Sequence, residues 1–202
     1  TALMALGHPE VTFTFRHNDR EIWRLPTETG TGAAALETRL RALWGDGLRL
    51  IEIDCSGELN RRAFDAEDAP AKACRIWGFI GAPGISRSNR GNQHVFVNHR
   101  PVDNVGLGMA LREGYHTALM KGKYPVCCLF LEINPGEVDV NIHPAKREVR
   151  FHNESKVFST LQRAVRAVLI AESPVPLLSA PQTSEHLPRL IGGPSFFYSS
   201  PF

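Results

Sequence analysis

The sequence predicts a two-layer α/β sandwich. Extended stretches of alternating or uninterrupted apolar residues recur along the chain, and two segments carry apolar residues at helical spacing on one face. Turn chemistry punctuates them, most strongly at Asn134-Pro135-Gly136. Strands interspersed with helices that each bear a single apolar face pack as a sheet covered by a helical layer.

In chain order, Ala2, Leu3 and Leu6 mark a helix end. Val11, Phe13 and Phe15 alternate with Thr12, Thr14 and Arg16, the period of a half-buried strand. His17-Asn18-Asp19-Arg20 supplies a turn, and Glu21 to Leu25 returns. Pro26 to Gly32 reads as a linker, after which Leu36, Leu40 and Leu43 repeat at helical spacing up to Gly45 and Gly47. Leu48 to Ile53 reads as a strand, and the polar stretch Asp54 to Lys72 as a mobile connection. Further strands are expected at Cys74 to Ile80, Gln93 to Asn98 and Pro125 to Ile133. After the Asn134 turn, Val138, Val140 and Ile142 alternate with Asp139, Asn141 and His143, and Val149 to Phe151 resumes the extended pattern. The helices of the second layer show Leu107, Leu111, Tyr115 and Ala118 on one face, and Val157, Phe158, Leu161, Val165 and Val168 on the other's.

Composition narrows the function classes. The 202 residues carry 23 Lys+Arg against 21 Asp+Glu, a net charge of +2, with 43% hydrophobic and 22% charged residues, as in a globular domain. The longest apolar run, Val126 to Leu131, is far too short for a membrane-spanning helix. Four cysteines without C-x-x-C, and no H-E-x-x-H, make neither a disulfide framework nor a zinc site. Cys127 and Cys128 are adjacent in a strand and point to opposite faces, so they read as small core residues in a reducing compartment. The start at Thr1, inside a helix-like stretch, suggests a piece of a longer protein. Residues 173–202 hold 6 of the 14 prolines and read as a linker. Phe196, Phe197, Tyr198 and Phe202 end it with an aromatic cluster that is expected to dock.

Several segments suggest chemistry. Gly30-Thr31-Gly32-Ala33-Ala34-Ala35 fits a dinucleotide-binding G-x-G-x-x-A, with Asp54 near the position of a ribose-binding acid. That loop needs a buried parallel strand ending almost at its first glycine. Here Pro26 to Thr29 intervenes after a polar hairpin strand, so a linker is the better reading. Pro101 with Gly106-Leu107-Gly108 resembles the phosphate loop of small-molecule kinases of the galactokinase and homoserine kinase superfamily. Met109-Ala110 stands where that loop needs hydroxyls, and a tight helix start is the competing reading. From Ala69 to Val102 there are five cations (Lys72, Arg75, Arg87, Arg90, Arg100), two histidines and no acid. Ser86-Arg87-Ser88-Asn89-Arg90 offers donors for phosphate oxygens, against a solvated basic loop as the alternative. In His143-Pro144-Ala145-Lys146-Arg147-Glu148, Pro144 bars a continuous ladder and projects a loop. Lys146 on that loop reads either as a solvated cation or as a point charge for a terminal phosphate.

Two segments match a known family. Phe96-Val97-Asn98-His99-Arg100-Pro101-Val102 resembles the FVNGRPV segment of the MutL mismatch-repair proteins. Val138 to Phe151 (VDVNIHPAKREVRF) resembles their VDVNVHPAKxEVRF signature almost residue for residue. Ala5 to Val11 is similar to the last helix of the family's ATPase domain. The resemblance implies that residues 1–35 are the end of a gyrase/chaperone-type ATPase domain, 36–172 a transducer domain, and 173–202 the start of a linker. It implies a mixed sheet with a left-handed βαβ crossover, the fold of a small ribosomal protein domain. It further implies that Lys146 reaches the γ-phosphate of ATP, with Mg2+ and most of the nucleotide held by a preceding domain, so this chain alone is not catalytic.

By the same resemblance the partners are DNA, a mismatch-recognition protein of the MutS type and a second copy of the full-length protein, in a bacterial cytoplasm. Two departures bear on this. His99 replaces the usual glycine, and Asp103-Asn104-Val105-Gly106 lacks the arginines that many relatives carry there. Arg87, Arg90 and Arg100 therefore become the DNA-contact candidates. The polar stretch Asp54 to Ala71 is also longer than expected.

Overall fold

The longest apolar run in the chain becomes the middle of a sheet. In the computed structural model, which describes residues 2–28, 30, 32–58, 73–139 and 148–172, the order of elements is as follows. Helix α1 (Ala2–Gly7) precedes the hairpin β1 (Phe13–His17) and β2 (Arg20–Leu25), and α2 (Ala33–Trp44) follows. Then come β3 (Leu50–Glu58), β4 (Ala73–Gly81), β5 (Ser86–Arg87), β6 (Gln93–Val97), β7 (Arg100–Val102) and α3 (Val105–Tyr115). The described chain closes with β8 (Tyr124–Pro125), β9 (Cys127–Ile133), β10 (Val138–Asp139), β11 (Arg150–Phe151) and α4 (Glu154–Glu172).

Five strands form one mixed sheet in the order β3-β4-β9-β6-β7. Only β6 and β9 run parallel within it; the other neighbours are antiparallel. Strand β9 is buried along almost its whole length, which is why it reads as an unbroken apolar run rather than an alternation. Its pleat divides the core. Cys127, Leu129, Leu131 and Ile133 face the cluster built with α3 and α4, whereas Cys128 and Phe130 join Leu6, Leu36 and Leu40 from α1 and α2. The sheet with α3 and α4 is the expected sandwich. On the opposite face, α1 and α2 add a partial cover.

Helices α3 and α4 approach closely because the contact surface of α3 is small. A Cβ at Gly106 would collide with the Phe158 ring, and one at Gly114 would lie 2.8 Å from Val165. The Gly106-Leu107-Gly108 segment is thus the start of a packed helix. Asn104 caps it, its Oδ1 accepting from the Leu107 N–H at 2.9 Å. Tyr115 anchors the far end by donating its hydroxyl proton to the Gly81 carbonyl at 2.6 Å.

The structure corrects the sequence reading in two places. Strand β3 continues to Glu58 instead of stopping at Ile53, because Asp54 through Glu58 find register partners from Trp77 back to Ala73. Residues 54–58 of the expected mobile connection are therefore strand, and residues 59–72 lie outside the described residues. Helix α3 ends at Tyr115: His116 has φ +46°, which an α-helix cannot propagate, and Ala118 sits in a 3₁₀ turn instead.

Arg39 ties the N-terminal pieces together. It has no exposed surface, and its Nη2 donates to the carbonyls of Pro9 (2.7 Å), Val11 (3.2 Å) and Pro26 (2.7 Å). Glu28 Oε1 lies 3.8 Å from its Nε. Loss of solvent lowers the Arg39 pKa, and Glu28 opposes the shift.

Candidate functional site

Lys146 and the rest of 140–147 lie outside the described residues, but both flanks of that segment are built. Asn134 Oδ1 accepts from Gly136 N–H at 2.9 Å, shaping the turn that leads into β10. Strands β10 and β11 pair Val138 with Phe151 and Asp139 with Arg150. The Asn104 side chain, besides capping α3, donates to the Val149 carbonyl at 3.1 Å. The two ends of 140–147 are therefore held by a ladder on one side and a helix cap on the other.

The Phe96 to Val102 segment has a structural account. Phe96 stacks on Phe130 at 4.6 Å between centroids, and Phe130 stacks in turn on Trp77 at 4.4 Å. Asn98 makes a reciprocal pair with Ile133, donating to its carbonyl at 2.8 Å and accepting its N–H at 2.9 Å. This pins the β6–β7 turn to the end of β9, just before the Asn134 turn. Asn98 and His99 have φ of +47° and +65°, the signature of a two-residue hairpin turn in which glycine is the favoured second residue.

The three candidate arginines do not form one group. Arg87 lies in β5 opposite Tyr124 of β8, with Nη1 donating to the Ser86 carbonyl at 3.2 Å. Arg90 places its guanidinium 5.4 Å from the centroid of the Tyr124 ring. Arg100 pairs with Val97 at one end of β6, whereas Gln93, just after Arg90, pairs with Cys127 at the other. Four strand steps, about 13 Å, separate those ends. A residue the sequence reading missed takes the place beside Arg90: Arg112 of α3, 5.7 Å from the same ring. On the sequence it is one cation on a polar helix face, with no local signal.

The other motifs resolve without chemistry. Strand β2 belongs to an antiparallel two-stranded hairpin and is largely exposed, so the Gly30 to Ala35 segment follows no buried parallel strand. The cavity of about 340 Å³ at the start of α3 is lined by Asp103, Glu148 and Glu154 together with Arg150, a lining that disfavours phosphate. Cys127 and Cys128 are buried on opposite faces; burial pushes the Cys127 thiol up to about 12 and raises that of Cys128. Among the described residues no group of three His, Cys, Asp or Glu could hold a metal, and no helix is long and apolar enough to cross a membrane.

Residues 55–170 match the family described as DNA mismatch repair protein, C-terminal domain. The chain belongs to the MutL family of DNA mismatch-repair proteins. It is 37% identical over 175 residues to the DNA mismatch repair protein MutL of Symbiobacterium thermophilum, a match covering 86% of this chain and 25% of that protein. The MutL of Rickettsia felis is 34% identical over 172 residues, covering 85% of this chain and 26% of its own length. The chain thus spans about a quarter of the length of the curated MutL relatives it matches. A crystal structure of the N-terminal domain of a DNA repair protein superposes with a TM-score of 0.66 at 21% identity, covering 84% of this chain and 51% of that one. That likeness shows a shared fold. The VDVNIHPAKREVRF segment lies within the matched region of the MutL family, as do Arg87, Arg90, Arg112 and Tyr124.

Proposed function

We propose that this chain is the transducer part of an ATP-dependent mismatch-repair matchmaker, which couples recognition of a mismatch to the downstream repair steps. The observation that carries the reading is the 138–151 segment in a chain of the MutL family, with both of its flanks anchored. In this reading residues 1–35 end the ATPase domain, 36–172 are the transducer and 173–202 begin the linker. The first of these boundaries falls in the first turn of α2.

Lys146 contributes the compact charge that meets the γ-phosphate, a role that suits an ammonium on a flexible stem. The described residues fit only such a peripheral part. They build no metal cluster, and the cavity at the start of α3 is acid-lined. In the same reading a preceding domain holds most of the ATP and its Mg2+. When bound, ATP supplies the phosphate whose presence the loop senses. Asn104 ties the Val149 flank of the loop to α3, and the β10–β11 ladder joins its two flanks, so a shift at Lys146 would be felt by the DNA-facing side. Arg87 and Arg90 are assigned to DNA, with Arg100 a separate contact at the other end of β6. A MutS-type protein and a second copy of the full-length protein complete the assembly, in the cytoplasm.

The test is ATP turnover in the full-length protein. Lys146→Ala should lower it by on the order of 10²–10³, as loss of one preorganised phosphate donor does. Lys146→Arg should rescue poorly, and Arg147→Ala should stay close to wild type. Equal turnover in Lys146→Ala and Arg147→Ala, both folded by thermal melting, would refute the assignment.

A further inference from the structure

We propose that Arg90, Arg112 and Tyr124, with Arg87 beside them, form a binding site for the phosphate backbone of nucleic acid, in which Tyr124 is the positioning residue. The proposal rests on the mismatch-repair reading for its ligand class and on geometry for its place. Arg90 comes from the loop before β6, Arg112 from the last turn of α3 and Tyr124 from β8, so three separate pieces of chain converge. Two guanidiniums lie 5.4 and 5.7 Å from the centroid of one ring. Like charges brought together need a compensating attraction, and the face of the phenol ring supplies part of it. None of Arg87, Arg90 and Arg112 pairs with a carboxylate among the described residues, in contrast to Arg41, Arg49 and Arg75, which each lie within 3.0 Å of one. Apart from the Arg87 Nη1 bond to the Ser86 carbonyl, their N–H edges are left for an external anion, and a planar fork matches a phosphate's two free oxygens.

The surroundings favour the same ligand. Arg90 lies over α3 at Gly108, where a Cβ would sit 4.0 Å from Nη1 and where the missing side chain leaves the helix surface open. Lys121 and Lys123, both exposed, precede Tyr124. Across 86–93 and 104–127 the cations are Arg87, Arg90, Arg112, Lys121 and Lys123, against the single acid Glu113. The start of α3, by contrast, is lined by Asp103, Glu148 and Glu154. Field and geometry therefore move the phosphate contact along α3, from its acid-lined first turn to Arg112.

The experiment is a salt titration of fluorescent duplex binding to the 202-residue chain. Wild type is compared with Arg90→Glu/Arg112→Glu, Tyr124→Leu and the charge-matched surface control Arg163→Glu/Arg166→Glu, at two exposed positions of α4. Losing two phosphate contacts should flatten the slope of log K against log salt by about 1.8 and weaken binding at 50 mM salt about tenfold or more. Tyr124→Leu should weaken binding several-fold with an unchanged slope, since no charge is lost, and Tyr124→Phe should restore it. If the double reversal does not fold by circular dichroism, Arg90→Gln/Arg112→Gln replaces it with the same expectation for the slope. A double variant that binds like Arg163→Glu/Arg166→Glu overturns the site and leaves the family reading intact. A wild type that binds no duplex at low salt, or that releases it to poly-glutamate at equal charge, overturns the nucleic-acid assignment. Failure of the mismatch-repair reading itself would appear separately, in the Lys146 turnover assay.

Discussion

Gly78→Ala should be among the most damaging single-methyl changes in this protein. Gly78 lies in β4, the second strand of the sheet, opposite Ile53 on one side and Leu129 on the other. Its φ is +129°, a region of backbone space that side chains rarely occupy. A Cβ there would overlap the Cys128 carbonyl oxygen and lie 3.2 Å from Leu129 Cα. Both obstacles are backbone atoms of the central strand and cannot swing aside as a side chain would. Backbone strain of this kind costs about 1–3 kcal/mol, and forcing a methyl into a packed core about 1–3 more. The reduced entropy of the unfolded chain returns at most about 1 kcal/mol. At the middle of these ranges the net loss is about 3–4 kcal/mol. With a urea m-value near 2 kcal/mol/M for a domain of this size, the unfolding midpoint should fall by about 1.5–2 M at unchanged m. Gly47→Ala, where nothing lies within 4 Å of the added methyl, should shift the midpoint by less than about 0.3 M. A Gly78→Ala midpoint within 0.5 M (about 1 kcal/mol) of wild type would refute the close approach of β4 to β9.

Two further outcomes are expected. His99→Gly should raise the melting temperature slightly: it removes about 1–2 kcal/mol of left-handed strain, against a cost of about 0.4–1 kcal/mol from the looser unfolded chain and the loss of the ring contact with Phe130 at 6.1 Å between centroids. A lower melting temperature would mean that this contact outweighs the turn. Thiol labelling of the native chain at pH 8 should modify Cys55 first, since Cys74, Cys127 and Cys128 are buried. Burial pushes Cys74 up to about 11 and Cys127 up to about 12, leaving about one thiolate in a thousand or fewer at these sites. Rapid labelling of two or more thiols, counted by mass spectrometry, would show that the core opens.

Much of this protein is written in local pattern. The alternation at 11–25 and the Asn18-Asp19 pair, with φ of +49° and +59°, specify a hairpin from neighbouring residues alone. The apolar run 126–131 announces a strand covered on both faces, and the 138–151 segment identifies the family before any coordinate is known. Other features are decided only when distant segments meet. Strand β3 runs on through polar residues because Ala73 to Trp77 offers partners across the intervening segment, and a strand's hydrogen bonds are made with its neighbour rather than with itself. Gly106 reads equally well as a phosphate loop or a helix start until Phe158, more than fifty positions later, fills the space above it. Arg39 looks like any cation on a helix, yet it is sealed by carbonyls from the two ends of the hairpin. Arg90, Arg112 and Tyr124 are likewise separated along the chain by ordinary residues. Periodicity and turn chemistry act over a few residues and so survive in the one-dimensional string. The convergence of two cations on one ring depends on where the sheet delivers its loops, and only the tertiary structure sets that.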